Sequence, residues 1–160
     1  MVVDDKLVVY FSLTGNTRRA AKLIAARTGA KVLELQPLKP YSEGFSTYIT
    51  GGFGAMFKRR PQLRPLAIDP VDFQTIFIGT PVWAGRIAPP LRTFLSTHDF
   101  SGKKLAMFCT CLDNAGRTFA NIHELQPGML PAGQIALNMK MAEMSLKSLE
   151  VWADEIGSTE

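Results

Sequence analysis

Tyr10-Phe11-Ser12-Leu13-Thr14-Gly15-Asn16-Thr17 follows an apolar run, Leu7 to Phe11, and halts it in three hydroxyl residues, one glycine and one asparagine. An amphipathic helical pattern begins at once after it. This order predicts a buried strand, a tight loop and a helix N-terminus. A helix start offers unpaired N–H groups and the positive end of its dipole, which suits an anion such as phosphate. Ser12, Thr14 and Thr17 add hydroxyl donors, and Asn16 adds an amide. Gly15 allows a turn or a close backbone approach to a ligand. An ordinary strand-to-helix turn capped by Thr14 or Asn16 is the plainer alternative. Arg18 and Arg19, in the first helical turn, oppose the dipole, and a bound phosphate would relieve them.

Two common phosphate motifs are excluded. A P-loop needs Gly-x-x-x-x-Gly-Lys-Ser/Thr, and no lysine follows Gly15 at that spacing. A dinucleotide fingerprint needs three glycines where this loop has one. Neutral hydroxyl donors fit a monophosphate. With Ser12-Leu13-Thr14-Gly15-Asn16-Thr17 in place after the first strand, the chain resembles the flavodoxin family, whose Ser/Thr-x-Thr-Gly-x-Thr loop grips the phosphate of FMN.

The 160 residues predict one domain spanning 1–160, and 46% hydrophobic content allows a sizeable core. No run of about 18 apolar residues is present, so no membrane span is expected. The N-terminus lacks the layout of a secretion signal. Cys109 and Cys111 stand one residue apart, too close for an unstrained disulfide. These features predict a reduced, cytoplasmic protein. Net charge is +4 and uneven. Residues 1–70 hold 11 lysines and arginines against 5 acidic residues, while residues 71–160 hold 7 against 9. That asymmetry raises anionic partners, but no nucleic-acid motif accompanies it, so a solvated face is favoured over a nucleic-acid binder.

Strand and helix patterns alternate along the chain. Strands are predicted at Lys6–Phe11, Lys31–Leu35, Thr75–Gly79, Lys104–Phe108 and Ile135–Met139. Helices are predicted at Thr17–Thr28, from Pro89 and Pro90 onward, at Arg117–Leu125 and at Ala142–Ile156. Tyr41–Pro65 is the least regular part, with a weak helix expected near Tyr48–Phe57 because Gly51, Gly52 and Gly54 oppose it. The alternation implies an α/β doubly wound fold with a five-stranded parallel sheet. Its natural closure is the order 2-1-3-4-5, the order that the flavodoxin-like resemblance also implies.

In such a sheet the carboxyl ends of the first, third and fourth strands lie side by side. Three loops leave those ends: residues 12–17, 80–86 and 109–116. The middle one resembles the flavodoxin segment Gly-Thr/Ser-Pro-x-Trp/Tyr that flanks the isoalloxazine ring, here Gly79-Thr80-Pro81-Val82-Trp83. Thr80, Pro81, Val82, Trp83, Ala84 and Gly85 are therefore implied at the cofactor, with Trp83 stacking on the ring; packing on the next helix is the alternative for Trp83. The third loop departs from the family. Cys109, Thr110, Cys111, Leu112 and Gly116 are placed at the cofactor, yet no aromatic is present. One ring face is then open, or covered by Leu112, which suits a small substrate approaching the ring. Backbone N–H groups of 110–116 are left to bond the pyrimidine carbonyls. Trp152 falls in the core stripe of the last helix.

The resemblance implies an FMN-binding redox protein that carries electrons or reduces a small acceptor. The competing reading is a flavin-free interaction or signalling module of the same shape. Receiver domains share the strand order but need acidic residues where this chain has Ser12-Leu13-Thr14. Lys58, Arg59, Arg60 and Arg64 predict a redox partner that is an acidic protein, or an anionic small-molecule acceptor.

Overall fold

A computed structural model of the chain describes residues 5–41 and 58–159. Its first strand, β1 (Lys6–Tyr10), alternates between two apolar surroundings. Leu7 and Val9 belong to one buried cluster, and Val8 and Tyr10 to another. A strand buried on both faces is a central strand of a parallel sheet. The remaining elements are α1 (Asn16–Thr28), β2 (Lys31–Glu34), β3 (Thr75–Trp83), β4 (Arg86–Ile87), α2 (Pro89–Thr97), β5 (Lys104–Cys111), α3 (Thr118–Leu125), β6 (Leu130–Asn138) and α4 (Ala142–Ser158). Short 3-10 turns at Pro70–Asp72 and Met139–Met141 precede β3 and α4.

The sheet runs β2-β1-β3-β5-β6 with every neighbour parallel, and β4 hangs antiparallel on the end of β3. Setting aside the two-residue β4, this is the expected order 2-1-3-4-5. Helices cover both faces. Leu91, Phe94 and Leu95 of α2 and Ile122 of α3 complete the first cluster. Ala20, Ala21 and Ile24 of α1 meet Leu149, Ala153 and Ile156 of α4 in the second.

Three strands run longer than the sequence reading. The strand expected to end at Gly79 continues to Trp83, because Ala84 and Gly85 close a two-residue hairpin with φ of 51° and 70°. Positive φ at both central residues matches the twist of a tight hairpin. Ala-Gly lacks the Asn-Gly signature, so the turn was not evident. β5 runs three residues beyond Phe108 and absorbs Cys109, Thr110 and Cys111. β6 starts at Leu130, not Ile135, although Pro131 and Gly133 read as breakers. It is an edge strand, where proline is tolerated. Leu105 pairs with Pro131 and Ala106 with Gly133, so Ala132 is the extra residue of a bulge.

After β2 the chain is held by an antiparallel bridge between Pro37 and Leu63. Leu63, Leu66 and Ile68 pack on the first cluster. The helix expected at Tyr48–Phe57 lies outside the described residues.

Candidate functional site

α1 begins without a side-chain cap. Gly15 occupies the N-cap position in a left-handed conformation, φ 103°. No acidic residue stands in the first turn. The amide of Arg19 donates to the Gly15 carbonyl, 2.9 Å, and that bond starts the helix. The N–H groups of Asn16, Thr17 and Arg18 precede it and have no carbonyl within the helix to meet. Ser12 Oγ accepts from the Gly15 amide at 3.1 Å, which folds the loop back over the helix end. Thr17 is buried, and its Oγ1 lies 2.9 Å from Thr110 Oγ1 of β5. Two hydroxyls so placed form a relay: if Thr110 donates, the Thr17 proton is free for an anion.

Arg18 turns away from this loop. Its Nε and Nη2 both donate to Glu34 Oε1 at the end of β2, at 3.0 and 2.5 Å. The Glu34 carboxylate holds the Arg18 guanidinium above its ordinary pKa. The repulsion expected of two first-turn arginines is therefore smaller than the sequence implied; Arg19 alone stays exposed. Arg18 and Glu34 line a side cavity of about 190 Å3 with Phe11, Leu13 and Tyr41.

A cleft of about 310 Å3 opens at the carboxyl ends of β1, β3 and β5. Ser12, Leu13, Thr14, Asn16 and Thr17 form one wall. Pro81, Val82 and Trp83 come from the hairpin, and Thr110, Cys111 and Leu112 from the end of β5. The volume falls within the range of small-molecule sites, with an apolar lining and a few convergent polar groups. Trp83 is half-buried and packs edge-on against Phe11 at 5.5 Å and Tyr41 at 5.4 Å. Its ring partners thus lie at the end of β1 and in the segment after β2, not on the next helix, and the indole also lines the cleft. Leu112, also in the lining, is exposed.

Six residues assigned to the site from sequence do not line the cleft. Gly15 lies behind it, as the turn that begins α1. Thr80 is wholly buried; its hydroxyl donates to the Pro81 carbonyl at 2.8 Å and accepts from the Ala88 amide at 3.0 Å. Ala84 and Gly85 form the hairpin turn. Gly116 presses against that turn: a Cβ there would lie 2.6 Å from the Gly85 oxygen. The Arg117 amide donates to the same oxygen at 2.7 Å, so the third loop is fastened to the second.

Cys109 is the sixth, fully buried inside β5. Burial pushes both cysteine thiols above their usual pKa. Both are free and protonated at neutral pH, unsuited to nucleophilic chemistry. Met139 lines the cleft and was missed. The sequence pattern makes it the last residue of a strand, whereas the chain turns into a 3-10 helix there.

The uncapped helix end, the hydroxyls of Ser12, Thr14 and Thr17, and the indole of Trp83 share one cleft. A phosphate and a flat aromatic group can be satisfied there together, so the residues present fit FMN.

Among solved structures, a protein provisionally described as a flavoprotein from Bacteroides eggerthii DSM 20697 is 23% identical over 97% of this chain and 99% of its own, with TM-score 0.79. A similarly described protein from Bacteroides uniformis ATCC 8492 is 27% identical over 91% of this chain and 97% of its own, with TM-score 0.73. The flavoprotein of Lactobacillus acidophilus NCFM, solved in complex with FMN, is 20% identical over 89% of this chain and 98% of its own, with TM-score 0.69. No curated protein sequence matches significantly. The sequence profile of the family described as Flavodoxin matches residues 5–156, and the chain belongs to the flavodoxin family.

Proposed function

We propose that this chain is an FMN-binding redox protein that carries electrons or reduces a small acceptor. The observation that carries the reading is the meeting, in one cleft, of an uncapped helix N-terminus with Trp83. The FMN held by the Lactobacillus acidophilus flavoprotein, which has the same fold, supports it. FMN supplies the electron-transfer chemistry at its ring, and the protein binds, orients and tunes it. The amides of residues 16–18 and the hydroxyls of Ser12, Thr14 and Thr17 hold the phosphate. Trp83 covers one ring face. Leu112 and Met139 line the same cleft, and a ring face left without an aromatic cover would admit an acceptor. No side chain need be catalytic.

The partner is an acidic protein or an anionic small molecule, in line with the exposed Lys58, Arg59, Arg60 and Arg64. Among the described residues no helix is long and apolar enough to cross a membrane.

Flavin selectivity tests the reading. One terminal phosphate fits the loop. Titration of flavin-free protein is expected to rank FMN above riboflavin, with FAD no tighter than FMN. FAD binding more tightly than FMN would contradict a monophosphate site.

A further inference from the structure

Arg92, in the first turn of α2, is only 3% exposed. Its Nε and Nη2 are buried and have no hydrogen-bond partner among the described residues. A guanidinium stays charged in proteins, and burying it unpaired is costly. The charged groups that act on it are Arg60, Arg86 and, with opposite sign, Glu124. Glu124 is exposed and already pairs with Arg117. Burial and the two neighbouring arginines push the Arg92 pKa down.

The backbone explains the convergence. Arg86 is the antiparallel partner of Trp83 across the hairpin, and directly opposed residues carry their Cβ atoms about 4.5–5.5 Å apart. The chain beside Arg60 is tied to α2, because Thr93 Oγ1 donates to the Pro61 carbonyl at 2.6 Å. The amides at the end of α2 are already used: Leu91 and Arg92 both donate to the Ala88 carbonyl, and Pro89 and Pro90 have none to offer. The free donors are therefore those of the side chain.

We propose that Arg92, with Arg86 and Arg60, forms a binding site beside Trp83 for the carboxylate or phosphate group of a small acceptor. A planar guanidinium with two idle donors matches either group in a bidentate grip. The position next to the flavin ring rests on the FMN reading; the binding of the anion does not.

The test follows the melting temperature of the whole chain in succinate or in inorganic phosphate, against chloride at equal ionic strength. It is run flavin-free and saturated with FMN, and FMN binding is scored separately by visible absorption. At least one anion should raise the melting temperature in both arms, and which one identifies carboxylate or phosphate. The FMN-saturated arm removes the α1 loop as a competing phosphate site. Arg92→Met should weaken the apparent affinity for that anion at least about tenfold, the loss expected for a charged hydrogen bond. Arg86→Gln, at a half-buried position, should weaken it in the same direction. Without added anion, Arg92→Met should melt no lower than wild type, because an unpaired buried charge has been removed. Three results would overturn the site: no stabilisation of wild type by either anion, an undiminished response in Arg92→Met, or an anion-free melting temperature for Arg92→Met well below wild type. Failure of FMN to bind, with the Arg92-dependent succinate response intact, would remove the flavin reading and leave the anion site.

Discussion

Thr17→Ala is expected to weaken FMN binding about tenfold or more and to leave riboflavin binding nearly unchanged. Thr17 is buried at the start of α1, and its hydroxyl sits 2.9 Å from that of Thr110. Thr110 on β5 can donate to Thr17, which orients the Thr17 proton toward the anion position at the helix end. Loss of a hydrogen bond to a charged group costs roughly 1.5–3 kcal/mol. That corresponds to about tenfold to a hundredfold in affinity. Riboflavin lacks the phosphate, so its affinity isolates the contact. Thr110→Val should reproduce part of the loss, because it removes the orienting partner and keeps the volume. Titration of the variants with both flavins decides the matter. Equal losses for FMN and riboflavin would show that the hydroxyl pair braces the fold and does not touch phosphate.

The second large effect belongs to Trp83. Stacking of a flat aromatic ligand on an indole contributes roughly 1–3 kcal/mol, by analogy with bases on aromatic side chains. Trp83→Leu should therefore reduce FMN and riboflavin affinity together, by about tenfold or more. The same substitution removes ring contacts with Phe11 and Tyr41, so a fall in stability of about 1 kcal/mol accompanies it. In the wild type, tryptophan fluorescence should drop as FMN binds. Trp152 sits on the other face of the sheet against Phe77 and should respond little. Full flavin affinity in Trp83→Leu would reduce Trp83 to a packing residue.

Much of this was legible in the sequence for a physical reason. Leu7–Phe11 and Ile76-Phe77-Ile78 are apolar on both faces, and only a covered parallel sheet buries such strands. The abrupt change from Phe11 to Ser12 located the helix end that the structure shows uncapped. Trp83 was found because a large ring in a segment of Gly, Pro and Thr needs something to cover.

What escaped depended on contacts between distant segments. Nothing local distinguishes Cys109, Thr110 and Cys111 as strand or loop. Pairing with β6 through Cys111 and Asn138 settles it. The Arg18–Glu34 pair forms because β2 ends beside the first turn of α1, and Thr17 meets Thr110 across 93 residues. Thr80 reads as a site residue by its place in the Gly79–Trp83 motif and Cys109 by its place after the fourth strand, but each is wholly buried. Arg92 reads from sequence as one more residue of α2. Its interest arises from being buried without a partner, which no sequence pattern displays.

The central claim is that FMN occupies the cleft between the α1 N-terminus and Trp83. Amide chemical shifts of the 15N-labelled protein during FMN titration test it most directly. The account predicts saturable shifts of the Asn16, Thr17 and Arg18 amides and of the Trp83 indole. The amides of Lys6, Thr75 and Lys104, at the opposite end of the sheet, should stay in place. No saturable change, or changes centred away from residues 12–17 and 81–83, would contradict it.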